Sequence, residues 1–246
     1  QITTQRKKLT VFFSDIKDFT RTAESLQPES LTEYLNEYFS EMTQIALSYG
    51  ATIDKYIGDA VMLFFGDPES KGVKEDARAC VEMALEMQER MVVLQNRWRE
   101  RGFEQPFVIR IGINTGYCNV GNFGSDQRLS YTIIGGEVNV AQRLEASSDP
   151  GGILISHETY VQVDDLVEVQ ERQAVSLKGI DRTIRTYAIQ ARKAELDKPL
   201  RLKHPQGVHI DLSPQYLNRD DRQLIATQLK TLAAQLENLD ERDSAK

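Results

Sequence analysis

No run of apolar residues in this chain approaches the roughly 20 needed to cross a bilayer. No secretory signal is visible either. The residues present are therefore expected to fold in water, in the cytoplasm. Cysteine is scarce. Cys80 and Cys118 stand in unrelated contexts without metal-ligand spacing, which points to two reduced thiols rather than a disulfide or a zinc site. Positive charge is in deficit. The net charge of −7 argues against a nucleic-acid coat. The glycines of a P-loop are missing, so phosphate binding by that route is excluded. A starting methionine is missing too, and the chain is expected to be a fragment of a longer protein.

What is present suits a sizeable core. The 246 residues are enough for one domain plus an extension. Leu9 to Phe13 read as a buried strand. Pro28 opens a helix whose face carries Leu31, Tyr34, Leu35, Tyr38, Phe39, Met42, Ile45, Ala46 and Tyr49, and Gly50 stops it. Two short β runs flank Gly58-Asp59, a hairpin signal. A second long helix buries Cys80, Ala84, Met87, Met91, Leu94 and Trp98. Its methionines are core filling. "PFVIRIGINTGYCNVGNFG" is expected to form a strand, a glycine turn and another strand. "LSYTIIGGEVNVAQRLEASS" runs from strand into helix, and "VEVQERQAVSLKGIDRTIRTYAIQ" closes the domain as β structure. The order β, α, ββ, α, β predicts an α+β fold with a ferredoxin-like βαββαβ core, a mainly antiparallel sheet and extra C-terminal αβ elements. Residues 1–190 form that domain. Residues 191–246 form an extension, irregular at first, then an amphipathic helix that packs on the domain or on a partner.

Asp15 follows the first strand and Asp59 sits in the hairpin turn. If the two converge, they form a hard-oxygen site suited to Mg²⁺ or Mn²⁺. Taken singly, each could as well cap a turn. The stretch through Phe19 and Thr20 leads from strand toward helix, where backbone N–H groups can hold phosphate oxygens. Strand alternation puts Lys55 beside Ile53 and Ile57, on the face expected to meet the core. A lysine there needs a partner or must snorkel to solvent. Thr132 interrupts a β run. Asn139 and Arg143, four apart, share one helical face and can meet a phosphate and a ribose together. Lys178 precedes a glycine at a strand turn and, alone, is a surface lysine.

The segments "FFSDIKDFT", "DKYIGDAVMLFF", "RIGINTG", "YTIIGGEVNVAQRLE" and "SLKGI", in this order, resemble the catalytic domain of class III nucleotidyl cyclases over about residues 8 to 190. The resemblance implies conversion of a nucleoside triphosphate to a 3′,5′-cyclic monophosphate and pyrophosphate. It implies two metal ions, Mg²⁺ or Mn²⁺, on Asp15, Asp59 and the Ile16 carbonyl. It implies a phosphate cradle through Phe19 and Thr20, and a transition-state pair in Asn139 and Arg143. Lys178 matches a lysine that binds the outer phosphates, and Lys55 and Thr132 match the positions that read the purine. It further implies a head-to-tail homodimer. One protomer gives Asp15 and Asp59 to a site; the other gives Lys55, Thr132, Asn139, Arg143 and Lys178. The relatives are usually fused to sensor or membrane regions.

Hydrogen bonding selects the purine. Lysine only donates, so Lys55 suits adenine N1 and not the N1–H of guanine, and Thr132 can accept from the adenine amino group. ATP is therefore the expected substrate. Where some relatives carry a basic phosphate contact, this chain has Tyr117, so phosphate contacts are expected to be fewer or to come from elsewhere, such as Arg110 or Arg128. The other readings are a diguanylate or guanylate cyclase and a silent nucleotide-binding regulator. A diguanylate cyclase shares Gly135-Gly136-Glu137 but not the Val138-Asn139 that follows. A silent nucleotide-binding regulator predicts a missing metal Asp or Arg143, and none is missing.

Overall fold

The computed structural model describes residues 4–125, 127–177, 180–193, 200–204, 207–213, 216–217 and 219–243. The chain divides into two compact units, residues 1–190 and 191–246. In the first unit, β1 (Thr4–Ile16) leads through a short α1 (Phe19–Ser25) to α2 (Pro28–Ser48). The hairpin of β2 (Thr52–Ile57) and β3 (Ala60–Phe65) comes next, then α3 (Val73–Glu100) and β4 (Ile109–Ser125). These strands lie in the order β2-β3-β1-β4, with β1 antiparallel to both β3 and β4. That is the predicted βαββαβ core. β5 (Arg128–Ile134) pairs with the far end of β4, and α4 (Gly136–Ser147) follows. β6 (Ile153–Ser156), α5 (His157–Val163), β7 (Val167–Leu177) and β8 (Ile180–Arg192) extend the sheet, and β4–β6 is a parallel pair.

Both sheet faces are covered, which explains the unbroken buried run Leu9–Ser14 of β1. Phe12 and Ile16 face α2 and α3, among Tyr38, Met87, Met91 and Trp98. Leu9, Val11 and Phe13 face the other way, in a cluster that includes Ala141 of α4. The predicted inner faces of α2 and α3 are the buried ones.

Two local expectations are corrected. The glycines of "RIGINTG" make no turn, for β4 runs unbroken from Ile109 to Ser125. Their purpose is close approach. A Cβ on Gly112 would sit 2.1 Å from the backbone nitrogen of Glu145 and 2.5 Å from the Ala141 carbonyl oxygen. A Cβ on Gly116 would sit 2.6 Å from the Glu137 side chain. Helix α4 thus lies directly on β4, and the backbone contact cannot yield as a side chain could. Gly112→Ala is expected to destabilise the domain by at least about 1–3 kcal/mol. Urea unfolding checks this, and an unchanged midpoint would rule it out. The second correction concerns the stretch after 191. It holds a hairpin, β9 (Leu200–His204) with β10 (Val208–Leu212), ahead of the predicted helix α6 (Arg219–Asp243).

Candidate active site

The end of β1 carries Asp15, and cross-strand register sets Arg110 of β4 directly opposite it. Arg110 grips the carboxylate with two prongs. Nε and Nη2 donate to Oδ1 at 3.1 and 3.0 Å, and Nη2 donates to Oδ2 at 2.8 Å. Nη1 of the same guanidinium donates to the Ala146 carbonyl at 3.2 Å. Nη2 also lies 3.1 Å from Oε1 of Glu145, an ion-pair contact, yet that oxygen is a buried acceptor without a hydrogen bond.

Asp59, in the β2–β3 turn, accepts a hydrogen bond from the Ile16 backbone N–H at 2.8 Å. Its pKa is raised, first by burial. The Ile16 N–H opposes the rise and the Asp15 charge adds to it. The turn carboxylate is therefore tied to the last residue of β1, which brings it close enough to Asp15 for the two charges to interact. Below them the wholly buried Tyr38 hydroxyl holds its proton firmly, because burial and the charges of Asp59 and Asp15 raise its pKa.

Two carboxylates beside one backbone segment suit a hard divalent cation that keeps water and substrate phosphates as its other ligands. Among the described residues no group of three or more His, Cys, Asp or Glu could hold a metal alone. The residues still fit such an ion, since a guanidinium already sits two-pronged on Asp15 as a cationic stand-in.

Glu145 went unnoticed in the sequence. Burial, then Asp15 beside it, pushes its carboxyl up to about 8, and Arg110 opposes the rise. A carboxyl raised in the folded state binds a proton that the unfolded chain releases. Its contribution is favourable below the unfolded value of about 4.3 and is lost as pH climbs toward 8. Melting temperatures of the metal-free protein are expected to fall between pH 5 and 8, and less steeply in Glu145→Gln. Equal pH slopes in the two proteins would reject this. The detectable signal was positional. Glu145 lies four residues after Ala141, on a face of α4 that is otherwise apolar.

Lys55 and Thr132 meet as a second cluster. Lys55 Nζ donates to Thr132 Oγ1 at 3.2 Å, across 77 residues of sequence. Between them lies Asp54, whose side chain is 1% exposed, against 46% for Lys55. Thr132 donates to Asp54 Oδ2 at 2.6 Å, and Lys55 Nζ is 3.3 Å from Oδ1. The expected burial of Lys55 beside Ile57 is corrected. The β2–β3 register shifts between Ile53 and Lys55, so strict alternation fails. Asp54 turns inward, while Lys55 and Ile57 are exposed.

Asn139 and Arg143 lie together on the exposed face of α4. Arg143 lines a cavity of about 330 Å³ with Leu154, Arg172, Gln173, Ser176 and Thr186. Glu145, two positions after Arg143, points roughly 160° away around the helix, toward Asp15. One chain therefore does not gather Arg143 and Asp15 around a common point. Phe19 packs on Phe107 at the start of α1, and Thr20 is exposed. A cavity of about 590 Å³ opens beside them, lined by Lys17, Arg21, Thr22 and Val108 among others, but not by Phe19 or Thr20. Of the two suggested arginine substitutes, Arg110 is engaged by Asp15, and Arg128 stands at the start of β5. Lys178 lies outside the described residues.

The family model described as "Adenylate and Guanylate cyclase catalytic domain" matches residues 2–191. The crystal structure of the adenylyl cyclase CyaB from P. aeruginosa is 53% identical, with a TM-score of 0.75. It covers 78% of this chain and 98% of its own. The crystal structure of the guanylyl cyclase Cya2 is 34% identical, with a TM-score of 0.71, covering 75% of this chain and 92% of its own. Adenylate cyclase 1 of Rhizobium meliloti (strain 1021) is 32% identical over 186 residues, which is 75% of this chain and 28% of that protein's length. The chain thus spans little more than a quarter of that curated relative.

Proposed function

Since this chain belongs to the adenylate and guanylate cyclase catalytic-domain family, we propose that it converts ATP to 3′,5′-cyclic AMP and pyrophosphate. The observation that carries the choice of ATP is the Lys55–Thr132 contact. An ammonium can donate to adenine N1, and a hydroxyl oxygen beside it can accept from the 6-amino group. Guanine presents the opposite polarity at both atoms, and a mispaired buried edge costs about 1–3 kcal/mol per group.

Asp15, Asp59 and the Ile16 carbonyl would hold Mg²⁺ or Mn²⁺, two ions per site, which neutralise the triphosphate and acidify the ribose 3′-hydroxyl. The 3′-oxygen attacks the α-phosphorus in line, the bond to the β-phosphate oxygen breaks, and pyrophosphate leaves. The hydroxyl proton passes to Asp15 or to solvent. Arg143 balances the charge that grows on the α-phosphate, and Asn139 orients the ribose. Phe19, Thr20 and Lys178 serve the phosphates.

The opposed directions of Arg143 and Glu145 on α4 support a site shared by two chains, arranged head to tail. Residues 1–190 would be the catalytic domain and 191–246 an appended extension. No described helix is long and apolar enough to cross a membrane. We assign the domain to the cytoplasm, with sensing or membrane regions elsewhere in the full-length protein. Incubation with ATP or GTP and each metal, with products separated by chromatography, tests the reading. Cyclic AMP from ATP is expected. A cyclic dinucleotide from GTP, or bound ATP left unconverted by the dimer, would overturn it.

A further inference from the structure

We infer that Asp54 is a specificity-positioning residue, which fixes Thr132 as a hydrogen-bond acceptor toward the purine. This rests on the adenylate-forming reading above. The polarity of the chain Lys55–Thr132–Asp54 follows from chemistry alone. An ammonium only donates and a carboxylate only accepts. Thr132 must therefore receive from Lys55 at 3.2 Å and spend its single O–H proton on Asp54 at 2.6 Å. The Ile133 backbone N–H, 3.3 Å from the same Asp54 oxygen, pins the carboxylate in place. Asp54 is nearly sealed from water, so no solvent competes for that proton.

A hydroxyl has one proton and two lone pairs. With the proton spent and one lone pair on Lys55, only a lone pair remains to face a ligand. A free threonine rotor could serve either a 6-amino or a 6-oxo purine. This one can only accept, so it takes the amino group and rejects the oxo group. Lys55 Nζ is also held 3.3 Å from Asp54 Oδ1, so one carboxylate aims both readers. Asp54 need not touch the base to do this. Its inward turn comes from the register shift in β2, a local departure from strand alternation.

The test is Asp54→Asn, assayed with ATP, GTP and purine riboside triphosphate, which has no 6-substituent but keeps the N1 acceptor. The amide oxygen is expected to stay with the ammonium, its charged partner, at the cost of the long 3.3 Å contact with the neutral Ile133 N–H. The amide nitrogen then donates to Thr132 and turns the hydroxyl proton outward, against the 6-amino group. The preference for ATP over purine riboside triphosphate in kcat/KM should fall roughly tenfold or more, and the preference for ATP over GTP should fall with it. Turnover of the unsubstituted nucleotide should fall less than that of ATP, a difference that a general structural lesion would not produce. A second cycle uses Thr132→Val, in which adding Asp54→Asn should leave the ratio of ATP to purine riboside triphosphate unchanged, because both present the same N1 acceptor to Lys55. If Asp54→Asn lowers all three substrates equally, or if the Thr132→Val background still shows the ratio change, the inference is overturned. If instead the wild-type chain forms no cyclic AMP, it is the adenylate-forming reading that fails, a distinguishable result.

Discussion

Mixing a chain that carries Asp15→Ala with one that carries Arg143→Ala is expected to restore activity that neither has alone. Each variant by itself should fall by about 10²–10³-fold or more, the scale for removing one charge-stabilising group from a reaction centre. The expectation of recovery comes from α4. Glu145 sits 3.1 Å from Arg110, which grips Asp15, so that face of the helix is committed to the carboxylates of its own chain. Arg143 leaves the opposite side, toward β7 and β8. A heterodimer then has one site that lacks both groups and one that lacks neither. Equal mixing with free exchange makes half of the dimers mixed, so recovery should approach about a quarter of wild-type activity. Dimer formation is checked by sedimentation. Mixed dimers without recovery would mean that each chain builds its own complete site.

The same geometry shows how far the residues alone could lead. Asp15 and Asp59 were legible because an acid at the end of a buried strand, and another in a hairpin turn, are unusual enough to need a purpose. The paired strands β1 and β3 then bring them together. Arg110 and Glu145 were not singled out as partners of Asp15. Arg110 alternates with Ile109 and Ile111 and looks like the outer residue of a half-exposed strand. Only the β1–β4 register puts it across from Asp15. A register between strands 95 residues apart is a long-range property that periodicity does not encode. The glycines of "RIGINTG" were read as a turn because glycine most often marks one. Here they clear the way for a helix backbone, which local sequence cannot distinguish. Asp54 was hidden for a related reason. A one-residue irregularity in β2 exchanges inside for outside, and period-two reasoning then assigns the wrong neighbour to the core.

That irregularity bears on the other large effect. Replacing Lys55 by Glu exchanges a donor for an acceptor, and complementarity to the purine N1 alone would make guanine the favoured base. The surroundings predict a different outcome. The new carboxylate would lie beside Asp54, which now has Lys55 Nζ 3.3 Å from its Oδ1 and has no access to water. Asp54 would lose its cation and gain a like charge, a costly state for a buried carboxylate. Thr132, with its proton still on Asp54, would turn lone pairs toward the guanine oxo group. Lys55→Glu is therefore expected to lose about 10²-fold or more in kcat/KM for ATP without a matching gain for GTP, and to melt at a lower temperature. Lys55→Gln, which brings no charge, should retain the fold and lose less. Steady-state kinetics with both nucleotides and thermal melts of both variants decide the matter. A Lys55→Glu chain that cyclises GTP as well as the wild type cyclises ATP would show that Asp54 does not constrain the reader. The opposite result would mean that changing the base requires at least three residues to change together, because Thr132 takes its polarity from Asp54 and the charge at position 55 must suit the same carboxylate.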